Sequence, residues 1–329
     1  MSQAAYAGKP VLVTGGLGFI GSNLTIRLVE LGAEVTIVDS LVPELGGNRF
    51  NLAPVDDRVH VSTADLRDTT AVEELVEGHE VIFSLAGQVS HVDSMTDPIG
   101  DLEINCRSQL SLLEALRRRN PRARVIFAGS RQQYGRPRYL PVDEEHPLEP
   151  VDVNGIHKAA AESATLLYHG AHDLPTCSLR LTNTYGPRMQ MRNPRQGFVA
   201  WFVRLAVEGR EIELFGGGES LRDFNEVDDV VDAFLLCGTA DAAIGQVFNL
   251  GHQEPVSVRQ FADLLLDVAG GGSLVERPFP AARERIDIGS VYADYGKIRE
   301  LLGWEPRIGL REGLTRMVDY YRRYREHYW

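Results

Sequence analysis

Lysine is nearly missing from this chain of 329 residues: of 34 basic side chains only Lys9, Lys158 and Lys297 are lysines. A lysine kept against such arginine usage marks a place for a compact, strongly hydrated ammonium that a planar guanidinium does not replace. Lys158 is the one to follow. Cysteine is also scarce. Cys106, Cys177 and Cys237 are far apart and none belongs to a C-x-x-C pair. That excludes a thiolate metal site and fits a reduced, cytoplasmic protein. The nine histidines show no H-x-x-x-H or H-x-x-E-H arrangement, so no metal is expected. Positive charge is in deficit: the net charge of -12 argues against nucleic acid and anionic membrane surfaces as partners. No apolar run approaches the ~20 residues of a membrane span. Residues 1–10 contain neither a basic n-region nor an apolar h-region, so no signal peptide is expected. Repeats, linkers and low-complexity tracts are missing as well.

What is present is an ordinary globular composition, 43% hydrophobic and 24% charged, with length for one large α/β domain and a smaller one. The stretch Val11-Leu-Val-Thr-Gly-Gly-Leu-Gly-Phe-Ile-Gly-Ser22 organises the rest. It reads as a short apolar strand, a glycine turn and the start of an amphipathic helix to about Leu31. Gly15, Gly18 and Gly21 have the spacing that a tight turn, close approach of a pyrophosphate and close helix–strand packing require. Phosphates then sit on the helix N-terminus. The next strand, Glu34–Val38, ends in Asp39, placed to take the adenosine ribose hydroxyls, which favours NAD over NADP.

Downstream, strands at about Val59–Thr63, Val81–Leu85, Arg124–Gly129 and Thr176–Leu181 alternate with helices at about 70–76, 97–120 and 154–170. One apolar stripe, Leu102, Cys106, Leu110, Leu113 and Leu116, marks the second of these helices. Strands alternating with helices predict a doubly wound parallel α/β sheet, a Rossmann arrangement. Ligands bind outside the carboxyl ends of such strands, where Gly15, Asp39, Asp65, Gly87, Ser130 and Asn183 fall. The expected division is a dinucleotide domain over 1–185, joined by part of 225–260, and a smaller α/β substrate domain over 186–329. That second region includes helices at Phe198–Gly209 and Val258–Val268, a strand-like Val247–Leu250 and a helical end, Tyr295–Trp329.

These residues resemble the extended short-chain dehydrogenase/reductases of the nucleotide-sugar epimerase/dehydratase type. The resemblance covers nearly the whole chain. It rests on Thr14–Gly21, Asp65-Leu66, Leu85-Ala-Gly87, Ser130-x-x-x-Tyr134-Gly135, Lys158, Leu179–Pro187, Arg222-Asp-Phe224 with Val227-Asp-Asp229, and Leu302–Pro306. It implies NAD as cofactor, held by Gly15, Gly18, Phe19, Ile20, Gly21, Asp39 and Asn48. Asp65 and Leu66 would hold the adenine edge, Leu85, Ala86 and Gly87 would line the nicotinamide side, and Lys158 would hold the nicotinamide ribose. Ser130 would bond the sugar hydroxyl being oxidised. Asn183, Arg222 and Arg283 or Arg285 would bind the diphosphate of a nucleotide sugar, with His91, Arg131 and Gln133 reading the sugar. It also implies a homodimer built on the helices around 97–120 and 154–170.

Two departures from the family pattern shape the reading. The tyrosine that normally precedes the lysine by four residues is replaced by Asn154, in Asn154-Gly-Ile-His-Lys158. An amide does not titrate and is no general base. His157 is the first replacement considered, since positions 154, 157 and 158 are neighbours on a helix; His91 and Tyr134 are others. Second, Ser130 is followed by Arg131-Gln132 rather than the Asp-Glu pair of 4,6-dehydratases, which disfavours dehydration. The reading is an NAD-dependent nucleotide-sugar epimerase acting at C4. A dehydratase, an oxidoreductase with net redox change and a non-catalytic NAD- or sugar-nucleotide-binding protein stand as alternatives.

Overall fold

Runs of Val, Ile, Leu and Phe with little polar alternation form strands covered on both faces. In the computed structural model, which describes residues 5–42, 45–280 and 284–329, these are β1 (Pro10–Thr14), β2 (Glu34–Val38), β3 (His60–Ser62), β4 (Val81–Ser84), β5 (Arg124–Ser130) and β6 (Thr176–Leu181). They pair in parallel, with Val247–Leu250 as a seventh strand beside β6, in the order Val247–Leu250, β6, β5, β4, β1, β2, β3. The order reverses between β1 and β4. That reversal opens a crevice at their carboxyl ends, where doubly wound sheets bind ligands.

Successive residues of a strand face opposite sides. Val11 and Val13 of β1 join a core with Leu24 and Leu28 of the helix Phe19–Glu30 and Phe234 of the helix Val227–Cys237. Leu12 enters a second core with Leu112, Leu113 and Leu116 of the helix Ser108–Arg119. The long helix anticipated over 97–120 is interrupted. Pro98–Leu102 is α-helical, Glu103–Arg107 forms a π-turn, and the α-helix resumes at Ser108. The wider turn shifts the residues before it around the axis relative to those after it. The single apolar stripe is corrected: Leu113 and Leu116 are in the core, while Leu102, before the π-turn, and Leu110, after it, are exposed.

A separate core gathers the helices Phe198–Val207, Val258–Ala269 and Leu310–Arg323, with Phe224 stacked on Phe261 at 4.5 Å between ring centroids. It includes a parallel pair, Glu211–Phe215 with Ser273–Arg277, that sequence reasoning missed. Between the last two of these helices the chain returns to the first core, where Trp304 Nε1 donates to the Asp229 carbonyl at 2.8 Å.

Candidate cofactor and substrate site

A cavity of about 1150 Å³ runs from the glycine turn after β1, past the ends of β4 and β5, to the helix Phe198–Val207. At the glycine end, backbone packs on backbone. A Cβ at Gly15, whose φ is +70°, would lie 2.9 Å from Ala86, and one at Gly21 would lie 2.2 Å from the Gly15 carbonyl oxygen. The helix beginning at Phe19 has no side-chain cap, so its first N–H groups stay open toward the cavity. Thr14 Oγ1 accepts from the N–H groups of Leu85 (3.1 Å) and Ala86 (3.2 Å), which ties the ends of β1 and β4 across the switch point. Asp39 accepts from Leu17 N and Leu41 N, each at 3.0 Å; burial pushes its carboxyl up, against the pull of those two N–H groups. This cradle of open N–H groups, with no room for side chains, fits the pyrophosphate of a dinucleotide.

Gly15, Gly18, Phe19, Ile20, Gly21, Asp39, Asp65, Leu66, Leu85, Ala86, Gly87 and Lys158 all line the cavity. The Asp65 carboxylate is already engaged: Arg67 binds it through Nε (2.9 Å) and Nη2 (2.5 Å) and holds it below the usual carboxylate range. Asn48, expected to hold the cofactor, does not itself line the cavity, although Gly46 and Gly47 beside it do. Its side chain accepts from Phe50 N (3.1 Å) and donates to the His327 carbonyl (3.1 Å), spending its polar atoms on a local cap and a tie to the C-terminal region.

At the other end, Ser130 Oγ accepts from Gln132 N at 3.2 Å. Arg131 lies beside it, with Nη2 donating to Asn183 Oδ1 at 3.0 Å and a buried Nη1 that has no hydrogen-bond partner. Arg222 is buried, and Nη1 donates to the carbonyls of Leu221 (2.8 Å) and Gly289. Burial first, and then the neighbouring Arg131, lower Arg222 to about 10. Two guanidinium groups so placed, beside the Asn183 amide, suit a ligand with several anionic oxygens. Gln133 departs from expectation. It is fully buried and outside the cavity, oriented to donate to Glu162 Oε1 (3.1 Å) and accept from Ser130 N (3.2 Å). The 3₁₀ turn Arg131–Tyr134 aims it at the helix behind, and Gln132 faces the cavity instead. Arg285 is exposed and does not line the cavity, though Ile286, Asp287 and Ile288 do. Its carbonyl accepts from Arg136. Arg283 lies outside the described residues.

The helix Val153–His172 presents Asn154 and Lys158 to the cavity. Lys158 Nζ donates to the Ala128 carbonyl at 3.1 Å and sits 5.0 Å from the Phe127 ring centre; burial lowers it to about 8, with Asp101 acting the other way. Asn154 Nδ2 donates to the Gln88 carbonyl (2.9 Å) and to Asp101 Oδ2 (3.1 Å). His157, the first candidate base, is turned away: Nδ1 lies 2.7 Å from Asp101 Oδ1, and the residue does not line the cavity. Its ring stands one helical step from Lys158, a rotation of about 100°. Tyr134 is also excluded. Fully buried, its hydroxyl donates to Asn249 and accepts from Arg180, both at 2.7 Å, and burial pushes it up to about 12. His91 does line the cavity, with Nδ1 3.2 Å from Asp152 Oδ2.

The comparisons agree with this geometry. The family model described as the NAD dependent epimerase/dehydratase family matches residues 11–251. A UDP-glucose 4-epimerase of Mycolicibacterium smegmatis is 34% identical over 312 residues, covering 94% of this chain and 98% of the relative. The UDP-glucuronic acid decarboxylase 1 of Xenopus tropicalis is 32% identical over 328 residues, covering 97% and 73% respectively. Among solved structures, the UDP-glucose 4-epimerase of Thermotoga maritima with UDP-glucose superposes with a TM-score of 0.88 at 32% identity, covering 96% of this chain and 99% of that one.

Proposed function

Because the chain belongs to the NAD-dependent epimerase/dehydratase family, we propose that it is a nucleotide-sugar epimerase that inverts one sugar carbon, C4, through a transient keto intermediate. The observation that carries the reading is the juxtaposition, in one cavity, of the glycine cradle with Ser130 and the buried pair Arg131 and Arg222. The cradle suits a dinucleotide, with Asp39 on its ribose and Lys158 near its reactive end. When bound there, NAD supplies a hydride acceptor that later returns the hydride to the same carbon. The two arginines and Asn183 take the diphosphate and leave the sugar against Ser130. Ser130 Oγ, already accepting from Gln132 N, keeps its proton to bond a sugar oxygen. Lys158 lies beside Gly87, so its ammonium stabilises negative charge developing nearby.

Dehydration across C5 and C6 calls for an acid and a base beside the serine. Arg131 stays protonated and Gln132 does not titrate, so the site favours return of the hydride without loss of water. The test is product analysis. The protein is incubated with NAD and a panel of UDP-, GDP-, CDP-, ADP- and dTDP-glucose, and products are read by mass and by proton NMR. A product of unchanged mass with inverted C4 supports the reading. Loss of 18 mass units or net accumulation of NADH overturns it. Asn154 favours a second reading, a non-catalytic sugar-nucleotide-binding protein, since its amide does not titrate and both its N–H donors are already used. Stabilisation by a sugar nucleotide without turnover would support that one.

The protein is also proposed to form a homodimer. Ile99 (66% exposed), Leu102 and Leu110 lie on the first of two adjacent helical segments, and Ile156 and Leu167 (63%) on the second. Exposed apolar groups gathered this way suit a helical interface between two copies. A mass near that of one chain in light scattering would refute it.

A further inference from the structure

The proposed epimerisation has to place a proton, and the amide at 154 does not take one. Among the described residues, the titratable side chains around the Ser130 end of the cavity are His91, Lys158, Arg131, Arg222 and Asp287. The arginines stay charged. The Asp287 charge acts on Arg131 and Arg222, on the diphosphate side. Lys158, bonded once to the Ala128 carbonyl, already has the charge-stabilising role given above. His91 remains, and its surroundings are built.

His91 opens the short helix His91–Thr96, fixed by Ser90, whose hydroxyl accepts from Asp93 N at 3.1 Å. The buried edge of its ring is Nδ1, which lies within ion-pair distance of Asp152 Oδ2, at 3.2 Å, and makes no hydrogen bond in this structure. The side chain is 37% exposed, so the opposite edge, with Nε2, meets the cavity. Asp152 is itself buried and held in place. It caps the helix that carries Asn154 and Lys158, accepting from Gly155 N (2.7 Å), and it accepts from Gln132 Nε2 (2.5 Å). Burial works to raise its carboxyl, but His91, Gly155 N–H and Gln132 keep it below the usual carboxylate range. Gln132 in turn leads back to Ser130. The loop that delivers His91 is anchored at Gln88, whose carbonyl accepts from Asn154 Nδ2 (2.9 Å) and from Asn105 Nδ2 (3.0 Å). Other charged groups near the ring are Asp93, on its own helix and paired with Arg195 at 2.8 Å, and Arg131, whose charge reaches Asp152.

We propose that His91 is the general base and acid for the sugar hydroxyl in this protein, with Asp152 and Asn154 as positioning residues. This inference rests on the epimerase reading above. An anionic partner at Nδ1 selects the tautomer with the proton there and leaves the Nε2 lone pair facing the substrate. In the oxidative half, the hydroxyl O–H bond would break, its proton passing to Nε2 and its electron pair becoming the second C–O bond, with bound NAD as the acceptor that the departing C–H hydride would require. In the return half, the other face of the carbon would regain that hydride, and the oxygen would recover a proton from the imidazolium. Asp152 stabilises that cation in between. Asn154 therefore acts on the loop that carries the base.

Two measurements test this, and they fail separately from the functional reading. Nitrogen NMR of ¹⁵N-histidine-labelled protein, assigned with a His91→Gln variant, reads the tautomer without any turnover. Protonated Nδ1 and bare Nε2 are expected in the wild type, and Asp152→Asn should abolish that preference. A wild-type Nε2–H tautomer overturns the proposal. For turnover, UDP-glucose is the first probe. His91→Gln should lower the interconversion rate by about 100-fold or more, leave the thermal stabilisation by NAD and by UDP-glucose unchanged, and regain activity with added imidazole. His157→Gln should stay within twofold of wild type. A His91→Gln variant at the wild-type rate overturns the base assignment and points to Lys158. If no sugar nucleotide of the panel stabilises the wild type, the epimerase reading fails, and the tautomer result alone decides whether the His91–Asp152 pair exists.

Discussion

Glu162→Gln should destabilise the protein through a charge left alone in its interior. Glu162 and Arg180 are 2% and 6% exposed, and Arg180 binds the carboxylate through Nε (3.0 Å) and Nη2 (2.6 Å). Burial works against the Arg180 charge, but Glu162 outweighs it and holds the group more basic than usual. Removing one member of a buried pair costs about 3–5 kcal/mol, because the other stays uncompensated. Glutamine keeps the shape and one acceptor, and Arg180 keeps the Tyr134 hydroxyl at 2.7 Å, so about 3 kcal/mol is the expected loss. Urea unfolding of the wild type, Glu162→Gln, Arg180→Met and the double variant, followed by tryptophan fluorescence, measures it. The double variant should lose clearly less than the two single losses combined, since it no longer buries a lone charge. A Glu162→Gln variant within about 0.5 kcal/mol of wild type, the ordinary range for substitutions away from such features, would refute the reasoning. So would strict additivity. The pair matters to the site because Glu162 also orients Gln133, which accepts from Ser130 N.

Gly21→Ala places a methyl 2.2 Å from the Gly15 carbonyl oxygen, so the turn must open; thermal stabilisation by NAD should vanish, and its full retention would contradict the cradle. Asp39→Arg should lose the two loop bonds to Leu17 and Leu41 and shift preference from NAD toward NADP, read as the ratio of their dissociation constants. Asp223→Asn should alter stability against pH. Burial raises the Asp223 carboxyl from 3.8 to about 6, so the folded state holds the extra proton between those values and stability falls as pH rises through them, by about 3 kcal/mol in all. The variant should flatten that decline in urea titrations from pH 4 to 6. An unchanged slope would show that Asp223 does not titrate as described.

The sheet was legible because its signals are local. Buried parallel strands read as apolar runs, and the glycine turn stands between one such strand and a helix, so β1 to β6 and their ligand edge follow from the chain itself. The pair Glu211–Phe215 and Ser273–Arg277 was not legible. Its outer residues are charged and exposed, and its partners are far apart in sequence, so no long apolar run marks it; its local signal is the short alternation Glu211-Ile-Glu-Leu214 between Gly209 and Gly216. The broken helix after Pro98 failed for a related reason. A π-turn adds one residue without changing composition, and the contacts it makes lie far along the chain: Asn105, inside that turn, brackets Gln88 with Oδ1 and Nδ2 bonds of 3.1 and 3.0 Å.

The same distinction decides the site. Helix spacing alone makes His157 a neighbour of Lys158, and on that ground it is a reasonable base. The deciding residue is Asp101, buried and distant in the chain, which takes His157 through Nδ1 and Asn154 through Nδ2, and whose charge raises Lys158. One carboxylate thus turns His157 away, fixes the amide at 154 and keeps the ammonium charged. With Asn154 pinned between Asp101 and Gln88, the loop from Gln88 to His91 has a fixed foot on the helix that bears Lys158. The amide at 154 thus offers no titratable group and at the same time anchors the His91 loop. The first property is plain in the sequence, whereas the second depends on contacts more than fifty residues apart.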